Sequence, residues 1–192
     1  MIAGKILEFY GGEKMAGRKY VSDYRVEKIL TPSGKVETKL FYQGTYYRYE
    51  RPREEILRLR RHILLATIFA ALLIFPLFTI EAMLSHTMYV VLPAAFSLIP
   101  MYLLLAGARR LGFGDEKFTR EHRDKTEKRI ARGSLWLTIF LGATVVGCVV
   151  YICLFPAIVL EEYLSMASLA LSLAASITLL PHRKKAKAVE AK

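Results

Sequence analysis

The sequence predicts an all-α membrane protein, a four-transmembrane-helix bundle preceded by a small N-terminal cytoplasmic β module. Three observations carry that expectation. Residues 63–80, 88–106, 135–155 and 163–180 are apolar stretches without a single Asp, Glu, Lys or Arg. At a rise of about 1.5 Å per residue, such stretches match a hydrocarbon core about 30 Å thick. The composition agrees, being 54% hydrophobic with a mean hydropathy of +0.29, and the apolar residues are clustered rather than periodic.

The third observation is where the charge lies. The net charge is +11, which in a soluble chain would point to nucleic acid or an acidic surface. Of the 28 Lys and Arg, 14 fall in residues 1–61, nine in 107–133 and five in 182–192. None remains for the apolar stretches or for the connections 81–87 and 156–162. That is the positive-inside pattern, and it places both termini and the middle loop in the cytoplasm of a cell-membrane protein.

Residues 1–50 read as a cytoplasmic β-rich module. Tyr24–Leu30 and Val36–Tyr42 are β-favouring runs around the turn Thr31-Pro32-Ser33-Gly34-Lys35. Gln43-Gly44 marks a second turn before a third strand, Thr45–Tyr49, and Lys5–Tyr10 offers one more. A sheet this small buries too little to stand alone. Tyr42, Tyr46, Tyr47, Arg48 and Tyr49 are therefore candidates for docking a partner, since Tyr and Arg are enriched at interface hot spots.

Residues 51–106 form a linking helix, Arg53–His62, and the first transmembrane hairpin. Glu54 and Glu55 open that helix, and Arg58, Arg60 and Arg61 close it, the order a helix dipole favours. The same arginines suit anionic inner-leaflet headgroups. Pro93 and Pro100 in the second span each free a carbonyl one turn earlier, on Tyr89 and Phe96, and are hinge candidates.

Residues 107–133 read as a charged cytoplasmic helical loop, capped by Asp115 and helical over Glu116–Arg132. Opposite charges recur there at i,i+4, as in Glu121/Lys125 and Asp124/Lys128. The segment is polar on every face and leads into span three, with Gly133 as a joint. It lacks interleaved aromatics, which argues against nucleic-acid binding. Residues 134–181 make the second hairpin, and 182–192 a basic cytoplasmic tail. Cys148 and Cys153 lie about 140° apart on one helix and cannot bridge each other. Residues 1–20 show no apolar core of a cleavable signal, so insertion is expected to rely on the first span.

Small residues at four-residue spacing mark the expected helix contacts: Ser165, Ser168, Ser172 and Ser176, with Ala143 and Gly147 on span three and Ala66 and Ala70 on span one. On the outer face, Glu81, His86, Glu161 and Glu162 form a candidate cation site, set against their simpler role as helix caps. No H-E-x-x-H, Walker-type loop or G-x-S-x-G is present. His62, His122 and His182 sit in basic runs and read as solvated.

The reading is therefore non-enzymatic, without cofactor. It gives an accessory, scaffold or regulatory subunit, docking a membrane or cytoplasmic protein or a second copy of itself through its basic cytoplasmic face. The alternatives are a small transporter or channel component with an acidic outer mouth, then a membrane-embedded lipid enzyme.

Overall fold

The computed structural model describes residues 18–30, 36–80, 83–112, 117–155, 159–182 and 188–191. It is mostly helical, with α1 (Arg53–Thr79), α2 (Met88–Phe96), α3 (Leu98–Arg110), α4 (Arg120–Leu154) and α5 (Leu160–Ile177). Among the described residues three stretches, Arg53–Thr79, Met88–Arg110 and Arg120–Leu154, are long and apolar enough to cross a membrane. The remaining helix, α5, has 18 residues but starts with Glu161 and Glu162 and contains four serines.

The expected linking helix and first span are one uninterrupted helix, α1. Nothing between Arg58 and Ile63 breaks it, and Pro76 falls where the helix is already ending, with Ile80 N–H on the Pro76 carbonyl at 3.0 Å. The charged middle loop likewise runs straight into span three as α4. Its cap is Thr119, whose Oγ1 accepts from His122 N–H at 3.4 Å; Asp115 and Glu116 lie outside the described residues. Gly133 is not a joint, because α4 continues through it.

Buried positions recur every three or four residues along the long helices. In α1 they are Ile56, Leu59, Ile63, Thr67, Ala70, Ile74 and Leu77; in α5, Glu162, Ser165, Leu169, Ser172 and Ser176. Such spacing is the seam of helices packed side by side. Helix α1 packs on α3 and α5, and α4 packs on α2, α3 and α5, so the helices close into a ring.

The bundle is turned inside out relative to a soluble one. Leu65, Leu72 and Phe75 point outwards at 61%, 66% and 64% exposure, while Thr67, Ser97, Ser134, Thr144, Ser172 and Ser176 are fully enclosed. Lipid accepts the large apolar side chains, and the enclosed hydroxyls find carbonyls inside.

Strands β1 (Tyr24–Leu30) and β2 (Val36–Tyr42) pair antiparallel from Tyr24 opposite Tyr42 to Leu30 opposite Val36. Their ranges coincide with the two runs read from the sequence; the turn 31–35 and the Lys5–Tyr10 candidate lie outside the described residues. The third strand differs from expectation. Strand β3 is only Tyr47–Tyr49, and it does not join the hairpin. The Gln43 and Gly44 N–H groups both turn back onto the Asp23 carbonyl, at 2.8 and 3.2 Å. That closes the hairpin end and releases the chain in another direction.

Strand β3 pairs instead with β4 (Ala188–Glu190), which lies in the segment that reads as a basic cytoplasmic tail. Tyr47 stands opposite Glu190, Arg48 opposite Val189 and Tyr49 opposite Ala188. On its other edge, Tyr47 exchanges two backbone hydrogen bonds with Phe118, both 2.8 Å. One short strand thus holds the N-terminal module, the loop before α4 and the C-terminal tail together in a headpiece.

Candidate functional site

The headpiece is built on β3 and the first turns of α4. Tyr47 is buried, and the Arg123 guanidinium lies 4.6 Å from its ring centroid. Arg123 also reaches Glu127 at 3.7 Å and Asp124 at 3.9 Å, which fixes the cation over the ring. Tyr49 meets Phe118 at 4.6 Å between centroids, and burial pushes its phenol up to about 12. Tyr42 packs edge-on against Tyr24 and Tyr46, at 5.2 and 5.0 Å. Its hydroxyl donates to the Thr45 carbonyl at 2.9 Å and accepts from Arg120 N–H at 3.1 Å. Tyr20 donates to Asp124 at 3.0 Å.

Three of the five docking candidates, Tyr42, Tyr47 and Tyr49, are therefore engaged by the chain itself. Their partner is the segment that reads as polar on every face. Within it Thr126 and Ile130 are nearly inaccessible, and a Cβ on Gly107 of α3 would meet Ile130 Cγ1 at 3.0 Å, so this stretch does have a buried face. Tyr46 and Arg48 remain exposed, and with Lys117, Arg120 and Lys128 they give the headpiece a basic outer surface.

His122 departs from the solvated reading. It is half-buried, with Nε2 3.1 Å from the Arg110 carbonyl and its ring 5.3 Å from Phe118. Desolvation lowers its pKa from the ordinary 6.5. Below about pH 6.5 the unfolded chain takes up a proton that the folded one resists. Acidification through and below that value should therefore lower the melting temperature. A melting series from pH 7.5 to 5.5 should show a smaller drop for His122→Gln than for the unchanged chain. His62 is exposed and lies edge-on to His182 at 4.6 Å, joining the start of α1 to the end of the bundle.

At the opposite end of the bundle, the three cation candidates among the described residues differ in environment. Glu162 is 2% exposed, accepting from Tyr151 Oη–H at 2.7 Å and from Val159 N–H at 3.3 Å. Glu161 and His86 are exposed, and Glu81 lies outside the described residues. No group of three or more His, Cys, Asp or Glu among the described residues is placed to hold a metal. The arrangement caps α5 and ties it to α4. The donor, Tyr151 near the outer end of α4, carries no signal in the sequence that pairs it with Glu162. Glu162→Ala should lower stability by about 1–3 kcal/mol, because it leaves a buried hydroxyl and a cap N–H without an acceptor. Glu161→Gln should be close to neutral in the same detergent melting assay.

The small-residue positions divide as well. Ser172 Oγ donates across to the Ala70 carbonyl of α1 at 3.0 Å. Ser165 and Ser176 are buried beside it, Ser168 is half-buried with its hydroxyl on the Ser165 carbonyl at 2.8 Å, and Ala66 is half-buried. Gly147 faces α2, where a Cβ would meet the Tyr89 carbonyl oxygen at 2.9 Å. Ala143, by contrast, is exposed. At about 100° per residue it lies some 40° beyond Gly147, past the edge of the buried face.

The second span breaks at Ser97, between the two prolines. Ser97 Oγ donates to the Ala94 carbonyl at 2.6 Å, rather than to the Phe96 carbonyl freed by Pro100. Pro93 is half-buried and Pro100 buried at this junction of α2 and α3.

No family model, curated protein or solved structure matches this chain.

Proposed function

We propose that the protein is a non-enzymatic subunit of the cell membrane, an accessory, scaffold or regulatory component with both termini cytoplasmic. It crosses four times and docks an acidic protein partner through its basic headpiece. The observation that carries this reading is the convergence of three distant segments on β3. Strand β3 precedes α1, Phe118 precedes α4, and β4 follows α5. Three crossings would leave β4 on the side opposite β3, but the two are hydrogen-bonded partners. A fourth crossing by α5 resolves the conflict, and its 18 residues reach about 27 Å. Its polar groups suit that role, since Glu162, Ser165, Ser172 and Ser176 face inwards and lower the helix's hydropathy without meeting lipid.

Strand β3, Phe118 and β4 come from the three basic segments of the sequence, and positive-inside sorting then puts that end in the cytoplasm against anionic headgroups. The non-enzymatic reading rests on where the buried polarity goes. Thr67, Ser97, Thr144 and Ser172 all donate to backbone carbonyls of the bundle. Ser172 ties α5 to α1, and the other three are satisfied one turn back in their own helical stretch, so these hydroxyls are taken up by the bundle's backbone.

Photo-crosslinking from position 48 in intact cells tests the reading. A discrete protein adduct is expected there, weakened by Arg120→Glu with Lys128→Glu and missing from the lipid-facing position 143. Ion flux by the purified protein alone in lipid vesicles, with no adduct at 48, would replace this reading with the transporter one.

A further inference from the structure

We propose that the edge of β3 now covered by β4 is a strand-addition site, and that the tail holds it for an extended acidic segment of the docking partner. The inference rests on the docking reading and names its site and the chemistry it selects. Three features define what the site takes. The first is main-chain pairing, which is indifferent to sequence: the register sets Arg48 opposite Val189, and Ala191 N–H donates to the Tyr46 carbonyl at 2.9 Å. The second is Glu127, whose carboxylate accepts Ala188 N–H at 2.9 Å, so the occupant needs a free N–H there and not a proline. The third is size. Ala188 is 8% exposed, and only a small side chain fits that position.

The tail meets these needs and adds little more. Val189 and Glu190 point outwards, so a three-residue ladder and one small buried side chain are most of what holds β4. Arg48 is exposed, yet its cross-strand neighbour is the uncharged Val189. Opposite charges across a ladder are favourable, so an acidic residue at that position would fit better than the native one. A partner segment of the pattern small–acidic–acidic therefore competes with the tail. It must overcome the tail's advantage of being tethered, which amounts to an effective concentration in the millimolar range.

The test uses the full-length protein and a labelled peptide, Ala-Lys-Ala-Glu-Glu-Ala-Lys, the sequence of residues 186–192 with glutamate at position 189. Ala188→Trp in the protein should expel the tail by bulk. The peptide should then bind that variant at least about tenfold more tightly than the unchanged chain, whose tail competes. The same peptide with tryptophan at position 188 should not bind either protein. Equal binding to variant and unchanged chain, or no binding to a variant that keeps its helical content, would overturn the proposal. Should Ala188→Trp disturb folding, Val189→Pro removes a ladder N–H instead and carries the same expectations. Amide exchange at Val189 and Ala191 should also be faster than in α4; protection equal to that of α4 would show a tail that does not release. An adduct from position 48 together with a failed peptide test would leave the docking reading standing and strand addition refuted.

Discussion

Gly147→Val should destabilise the bundle by about 3 kcal/mol, the upper range for forcing extra atoms into a packed site. The new Cβ would lie 2.9 Å from the Tyr89 carbonyl oxygen and 3.2 Å from Val90 Cγ2. The first of these is backbone and cannot rotate aside. Pro93 explains why that carbonyl is there. It has no N–H to occupy the Tyr89 oxygen, so the oxygen is left to approach α4, and glycine leaves room for it. At Gly133, one level nearer the headpiece, a Cβ would meet Leu104 Cγ at 2.8 Å and the Pro100 carbonyl oxygen at 3.1 Å, so α4 approaches α3 closely there as well. Gly142→Val is the control, because a Cβ there meets nothing within 4 Å. Thermal unfolding in detergent should separate the two variants clearly. Equal melting temperatures would remove close helix approach from the account.

Ser172→Leu is expected to cost nearly as much, about 2–3 kcal/mol. Both Ser172 and its acceptor residue Ala70 are fully buried, so leucine has no space between α5 and α1. The lost interhelical hydrogen bond adds only about 0.6 kcal/mol, so the steric effect dominates. Ala174→Leu, two positions away on the exposed face, should stay within about 0.5 kcal/mol. A mild Ser172→Leu would mean that α5 does not pack on α1 as described.

What the sequence made legible was whatever depends on neighbours along the chain. Uninterrupted apolar runs mark the long helices, and a Pro/Gly turn between two β-favouring runs marks β1 and β2 to the residue. What stayed hidden depends on distant residues. Strand β4 has three residues and pairs with a strand about 140 positions earlier, so no local pattern announces it. The seven-tyrosine richness of the first 50 residues was visible, but not that Arg123 would cover Tyr47 or that Phe118 would pair with it.

Spacing alone also misplaced the edge of a face, as Ala143 and Gly147 show. Prolines signalled that span two is irregular, while the break itself fell on Ser97. At the far end, Glu162 was readable as a cap, but Tyr151 as its donor required knowing how α4 and α5 meet.

In the proposed topology β3 and β4 share one side of the membrane while the hairpin tips share the other. Single cysteines at positions 48, 83, 159 and 190, all exposed, test it with an impermeant maleimide on whole cells. Cys153 is exposed and is replaced by alanine in every variant, whereas Cys148 is buried. Met83→Cys and Val159→Cys should label in intact cells, and Arg48→Cys and Glu190→Cys only after the membrane is opened. Labelling of Glu190→Cys from outside, with Arg48→Cys still protected, would place the two strands on opposite sides and contradict the account.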